Sequence, residues 1–125
     1  MIVRDRAQVE PVDWGNGLSH RLLTNADGMG FTIAHTIVRA GTRSALAYSR
    51  HLEACYCISG SGQIVNAESG DVHDLGPGVL YALNEHDQHY LIASDVGDMQ
   101  LVSVFNPPLT GEEHHDLTGV GFSRY

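Results

Sequence analysis

Four side chains able to hold a metal ion fall on different strand-like segments or segment ends: His51, Glu53, Tyr81 and His89. Imidazole and carboxylate together suit a first-row divalent ion, and a two- or three-ligand set leaves coordination positions open for substrate. The charge of such an ion lowers a phenol pKa, which makes Tyr81 an acceptable anionic ligand. Taken alone, each of these residues is commonplace in a β protein, as packing or as surface. Their setting is more telling. Glu53, Cys55 and Cys57 share one strand face, and a carboxylate followed by two small thiols describes the lining of a narrow polar cavity. Tyr81 shares its face with Val79 and Leu83, so its hydroxyl enters an otherwise apolar interior. Buried hydroxyls and carboxylates need partners, and a metal supplies one for both. The remaining histidines (His20, His35, His73, His86, His114 and His115) are expected mostly at the surface.

Short strands must position these groups. Candidate strands are Ser19–Leu23, Phe31–Val38, Ala45–Ser49, Glu53–Ser59, Gln63–Asn66, Asp71–Leu75, Val79–Leu83, His89–Ala93 and Met99–Phe105. Gly, Pro, Asn and Asp turns separate them, among them Asn25-Ala-Asp27-Gly28, Gly60-Ser61-Gly62 and Gly76-Pro77-Gly78. No helical period of any length appears. Many short strands with turns roughly every ten residues argue an all-β antiparallel sandwich or barrel. Along Met99–Phe105, the residues Met99, Leu101, Ser103 and Phe105 share one face. The tail after Asn106-Pro107-Pro108 is polar and reads as mostly irregular.

Composition narrows the function. A chain of 125 residues is one domain with a real core. Seven basic against fifteen acidic residues give a net charge of −8, which repels phosphate backbones and anionic lipid. Nucleic-acid and membrane roles are therefore not expected. The charged start Met1-Ile2-Val3-Arg4-Asp5-Arg6 carries no apolar signal segment, and no apolar run reaches the length of a membrane span. A cytoplasmic protein is expected. Cys55 and Cys57 sit two apart on one strand face, where a disulfide between them would be strained, so both read as reduced thiols.

Here the chain resembles a known family. Gly70-x5-Gly76-Pro77-Gly78, with Tyr81 close behind, is similar to the second cupin motif, with tyrosine where most cupins place histidine. His51-x-Glu53 and Gly60 resemble what remains of the first. MIVRD at the start, DGMGF at 27–31, AGT at 40–42, HLEA-x-YCI at 51–58, YAL at 81–83, HYL at 89–91 and FNPPLTG at 105–111 all resemble the ectoine synthase family. The resemblance runs in register over nearly the whole chain, apart from a changed stretch near Val12–Leu18 and a roughly two-residue insertion around Ser94–Gly97.

The resemblance implies a cupin barrel (a jelly-roll-like antiparallel β-barrel) over residues 1–125, a tail from about residue 106, and a homodimer. It implies an iron(II) site, Fe(2+), held by Glu53, Tyr81 and His89, with His51 nearby but not a ligand. Substrate-binding residues fall on Arg21, Thr36, Tyr48, Phe105 and position 103, where Ser103 replaces the family cysteine. Catalytic roles fall on Tyr81 and Glu113, the latter as the free carboxylate for proton transfer. The implied reaction cyclises N-γ-acetyl-L-2,4-diaminobutyrate to ectoine with loss of water. Four departures fall in the presumed cavity: Gly17 for tryptophan, Ala34 for asparagine, Ala47 for an aromatic, and Ser103. Trp14 lies three positions before Gly17. A related N-acylated diamino acid as substrate, the reverse hydrolysis, a non-catalytic cupin binding a small zwitterion, and an oxygenase are the other readings these changes leave open.

Overall fold

Burial along Met99–Asn106 alternates strictly: Met99, Leu101, Ser103 and Phe105 are buried, and Gln100, Val102 and Val104 are not. A period of two is what a strand with one face on a core requires. In the computed structural model, which describes residues 1–125, this strand is the centre of a six-stranded sheet. The strands in chain order are β1 Val12–Asp13, β2 Gly17–Leu23, β3 Thr32–Val38, β4 Arg43–Ala47, β5 Leu52–Ser59, β6 Gly62–Asn66, β7 Val72–Leu75, β8 Leu80–Leu83, β9 His89–Ala93, β10 Met99–Asn106 and β11 Ser123–Arg124. One sheet has the order β1-β2-β3-β10-β5-β8 and the other β11-β4-β9-β6-β7. Neighbours are antiparallel except β11, which runs parallel to β4. The helical content is two short 3-10 turns, at Arg6–Gln8 and Asn25–Asp27.

The nine expected strands are all present, with ends shifted by at most two residues. Only β1 and β11 were not anticipated. Each is a two-residue strand, too short to show a period, and each exists because a neighbour offers it an edge.

The inner faces of the two sheets meet in a core that includes Val38, Leu46, Leu91, Met99 and Leu101. A smaller apolar cluster of Tyr48, Leu83, Phe105 and Leu109 closes one end of the sandwich. Leu109 is drawn in by its own backbone, whose N–H donates to the Thr32 hydroxyl at 2.8 Å. Cys55 and Cys57 are buried and free, as the spacing required.

The turn from β5 to β6 depends on Gly60. Its φ of +79° lies in the left-handed region, and a Cβ there would strike the Asp98 carbonyl and come within 2.8 Å of the Met99 Cα. Gly60→Ala is therefore expected to cost about 1–3 kcal/mol for the backbone conformation alone, with the clash added. Urea unfolding checks this, and an unchanged midpoint would refute it.

Candidate active site

Register places the chemistry on the inner face of the larger sheet in rows. Glu53 pairs with Phe105 and Leu83, and Cys55 with Ser103 and Tyr81. Ser103 in turn faces Ala34, and Ala34 faces Arg21. One row further along, Leu101 faces Thr36, which faces Ser19. Because side chains alternate, these rows point Glu53, Cys55, Tyr81, Ser103, Thr36 and Arg21 into the sandwich together. The opposing sheet contributes His89, which pairs with Leu46.

Glu53, Tyr81, Thr36, Tyr48, Phe105 and Ser103 line one interior cavity, as expected of a common site. The His89 ring lies against them, with its centroid 6.1 Å from that of Tyr48 and 6.5 Å from that of Tyr81. A separate cleft of about 590 Å³ along the β7 and β8 edges reaches Tyr81 and His89 from outside.

Three features fit a metal at this corner. His89 Nδ1 lies 2.9 Å from the Asp87 carbonyl, which fixes the Nδ1–H tautomer. Its Nε2 is then a bare acceptor, buried and without any partner. A second nitrogen oriented in this way is the usual arrangement of a ligating histidine. Glu53 is 6% exposed, and burial pushes its carboxyl up to about 8. Burial also pushes the Tyr81 phenol well above its ordinary value, and the nearby Cys55 and Glu53 add to it. All three groups lack the positive charge that would favour their ligating forms.

Along the wall from this corner, Ser103 Oγ lies 3.4 Å from Cys55 Sγ and 2.8 Å from Thr36 Oγ1. The serine thus keeps a polar contact across two strand boundaries. Arg21, also buried, spends Nε on Ser19 Oγ at 3.1 Å and Nη2 on the Glu113 carbonyl. Its Nη1 has no hydrogen-bond partner and stands 3.8 Å from Glu113 Oε1.

Glu113 is not the free carboxylate the sequence suggested. It accepts from the Thr110 and Gly111 N–H groups and from the Thr110 hydroxyl, at 2.9–3.0 Å. Partial burial would raise its carboxyl, but these donors hold it below the ordinary carboxylate value. It lies outside the cavity lining, so its position in the closed tail suits it to pairing with Arg21. His51 is buried, and its Nδ1 meets the Pro107 carbonyl at 2.7 Å.

With that geometry in view, comparison with known proteins is decisive. The ectoine synthase family profile matches residues 1–124. The chain belongs to the ectoine synthase family. It is 48% identical over 123 residues to the L-ectoine synthase of Desulfosudis oleivorans, covering 95% of both chains. It is 44% identical over 124 residues to that of Bordetella parapertussis, covering 96% of this chain and 94% of the relative. The crystal structure of ectoine synthase from P. lautus superimposes with a TM-score of 0.83 at 42% identity, over 89% of this chain and 81% of that one. A Salinispora arenicola protein with a conserved Cupin 2 barrel shares the fold with a TM-score of 0.67 at 19% identity, over 84% of this chain and 87% of that one.

Within this family frame the four departures separate. Ser103 alone lines the cavity. Ala34 is on the inner face between Ser103 and Arg21, fully buried. Ala47 was expected in the wall, but Leu46 and Tyr48 take the inward positions. Alternation therefore turns Ala47 away, where it pairs with Arg124 of β11. Gly17 has no room for any side chain: a Cβ would strike the Ile37 carbonyl and come within 3.0 Å of Trp14 Nε1. Trp14 itself is in the cavity wall.

The largest surprise is the tail. His115, expected at the surface, is 3% exposed. Its Nε2 lies 3.2 Å from the Tyr48 hydroxyl and its Nδ1 2.9 Å from Ser123 Oγ. Tyr125 stacks on His115 at 4.3 Å and edges Tyr48 at 5.0 Å. No local signal marks this, because the contacts join positions 67 apart in sequence. The docked tail leaves about 20 Å³ free inside, room for about one water.

Burial first, then the charges of His89 and Arg21, depress the His115 imidazole to about 3. Its unfolded value is about 6.5, so the docked tail favours neutral His115. That contribution is complete above about pH 6.5 and is lost as pH falls toward 3, by up to about 1.4 kcal/mol per unit. Amide exchange in 112–125 should therefore quicken between pH 6.5 and 5, after correction for intrinsic rates. His115→Gln should flatten that dependence. An identical profile in the variant would show that His115 does not control docking.

Proposed function

We propose that this chain is a hydro-lyase that closes N-γ-acetyl-L-2,4-diaminobutyrate to ectoine with release of water. One observation carries the reading: in an ectoine synthase family chain, the bare His89 Nε2, buried Glu53 and part-buried Tyr81 stand on the same interior as a buried Arg21 whose Nη1 has no hydrogen-bond partner, with Glu53 and Tyr81 in the cavity lining. Glu53, Tyr81 and His89 would hold an iron(II) ion, whose chemistry is to polarise an amide carbonyl as a Lewis acid.

The chain's own groups supply the rest. Arg21 Nη1 is the natural partner of the substrate carboxylate, since a guanidinium takes a carboxylate in a planar charge-assisted pair. Three strand spacings separate Cys55 from Arg21, about 14 Å between backbones. Side chains from both ends shorten that span enough to hold a folded substrate with its amine against its own acetyl group. Such a conformer removes much of the entropic barrier to ring closure. Thr36, Ser103 and Tyr48 present hydroxyl groups along the path. The docked tail excludes bulk water, which favours loss of water from the adduct over hydrolysis of the product. Glu113, ionised in this position, steadies Arg21 until the substrate carboxylate takes its place. Tyr81, as a phenolate at the reacting end, is placed to take up the proton that the amine releases on attack.

The outer face of the larger sheet supports a homodimer. Leu52, Tyr56 and Ile58 of β5 and Leu80 of β8 are 41–59% exposed, and Tyr56 pairs directly with Leu80. A contiguous apolar stripe of this kind is a common mark of an interaction surface. Tyr56→Glu is expected to convert a dimer to a monomer in sedimentation velocity. A wild-type monomer at tens of micromolar would remove the proposal.

Incubation of iron-loaded protein with N-γ-acetyl-L-2,4-diaminobutyrate is expected to yield ectoine, detected by proton NMR. Tight ectoine binding without turnover would instead indicate a binding protein. Glu53→Ala and His89→Ala should lose iron and about a thousandfold in turnover together, as expected when a Lewis acid worth several kcal/mol is removed. Full iron content in either variant would reject that ligand. Glu113→Gln should retain iron and raise KM about tenfold more than it lowers kcat. A pure loss of kcat would return Glu113 to proton transfer.

A further inference from the structure

Trp14 is the only tryptophan of the chain, and it is held on every side. Its N–H donates to the Gly17 carbonyl at 3.1 Å, and its own carbonyl accepts the His115 N–H at 2.9 Å. The indole Nε1–H donates to the Ile37 carbonyl at 3.0 Å. The ring meets His115 edge-on at 6.4 Å, and the space above Gly17 is closed to any Cβ. Only 4% exposed, the indole lines the cavity beside Ser19 and Thr36. Those residues lie on β2 and β3, across the sheet from Glu53 and Tyr81 on β5 and β8. The single polar atom of the ring is already used, so toward the cavity Trp14 presents a rigid apolar wall.

We infer that Trp14 determines the length of the substrate chain this cavity accepts. The inference rests on the proposed cyclisation. A substrate that reaches from the ligand corner toward Arg21 on β2 meets this wall, which Ser19 of the same strand flanks in the cavity lining. The indole is pinned by its Nε1–H bond to the Ile37 carbonyl and by its edge contact with His115, and is 4% exposed. One added methylene therefore collides, and a smaller residue at position 14 makes room for it.

The test compares kcat/KM for N-γ-acetyl-2,4-diaminobutyrate with that for N-δ-acetylornithine, one methylene longer, in wild type, Trp14→Phe and Trp14→Leu, all iron-loaded. A methylene in a closed pocket is worth about tenfold or more in discrimination. The preference of wild type for the shorter substrate should fall by about that factor in Trp14→Leu and less in Trp14→Phe. An unchanged ratio in either folded, iron-loaded variant overturns the assignment. If wild type turns over neither compound, the proposed activity fails, and the wall is read instead from Trp14 fluorescence. Ectoine binding measured by calorimetry should then shift or quench the emission. Absence of binding, or binding that leaves the emission unchanged, overturns the inference.

Discussion

Everything at the ligand corner depends on keeping acidic and basic groups dry without giving them counter-ions. Glu53 and His89 are among the most buried polar residues of the chain, at 6% and 1% exposure, and neither has a counter-ion. An ionised carboxylate in such a place is several kcal/mol less stable than in water unless it is paired. The fold sustains the arrangement by surrounding it with strands whose register is fixed by the apolar pattern. A one-residue slip of β5 would turn Glu53 outward but also expose Cys55 and Cys57. The energy of the core therefore enforces the placement of groups that the core alone would reject. That is the sign of a site made for something else to bind.

The tail completes the enclosure from the opposite direction. It brings no hydrophobic strand of its own, only a two-residue parallel pairing with β4 and a stack of aromatic and imidazole rings. Phe122 adds a contact on the outside, 5.1 Å from Tyr90, whose other face carries the Arg43 guanidinium at 3.9 Å. Many small contacts over a short segment hold the tail in place, and its Tyr125 forms part of the cavity lining. The interior left free is about 20 Å³, while the separate cleft along β7 and β8 reaches Tyr81 and His89 from outside.

The barrel was legible because strands with one buried face announce themselves by alternation, and the Glu53-Cys55-Cys57 face was legible for the same reason. Where the reading failed, the failure has a physical cause in each case. His115 has exposed neighbours on both sides, His114 and Asp116. Nothing within the tail indicates that it is pulled beneath Tyr48. Ala47 was misplaced by parity: Leu46 and Tyr48 face inward, so the residue between them cannot. Glu113 carries the residue type expected of an acid or base, but its protonation is set by Thr110 and Gly111, whose N–H groups point at it only once the loop is folded.

Trp14 illustrates why an aligned position and a position in space are different things. Counted along the chain, the family tryptophan is gone, and Gly17 stands in its place. In three dimensions, the glycine is the condition for an indole arriving from the turn before it, because any side chain at position 17 would collide with the Ile37 carbonyl and crowd Trp14 Nε1. The glycine and the indole share one corner of the fold, and the Ile37 carbonyl limits what either position can hold. The metal corner permits no such exchange, since ligands must converge on a point and their strands fix the direction of each. A wall needs only to fill a volume, and volume can be filled from several backbone positions.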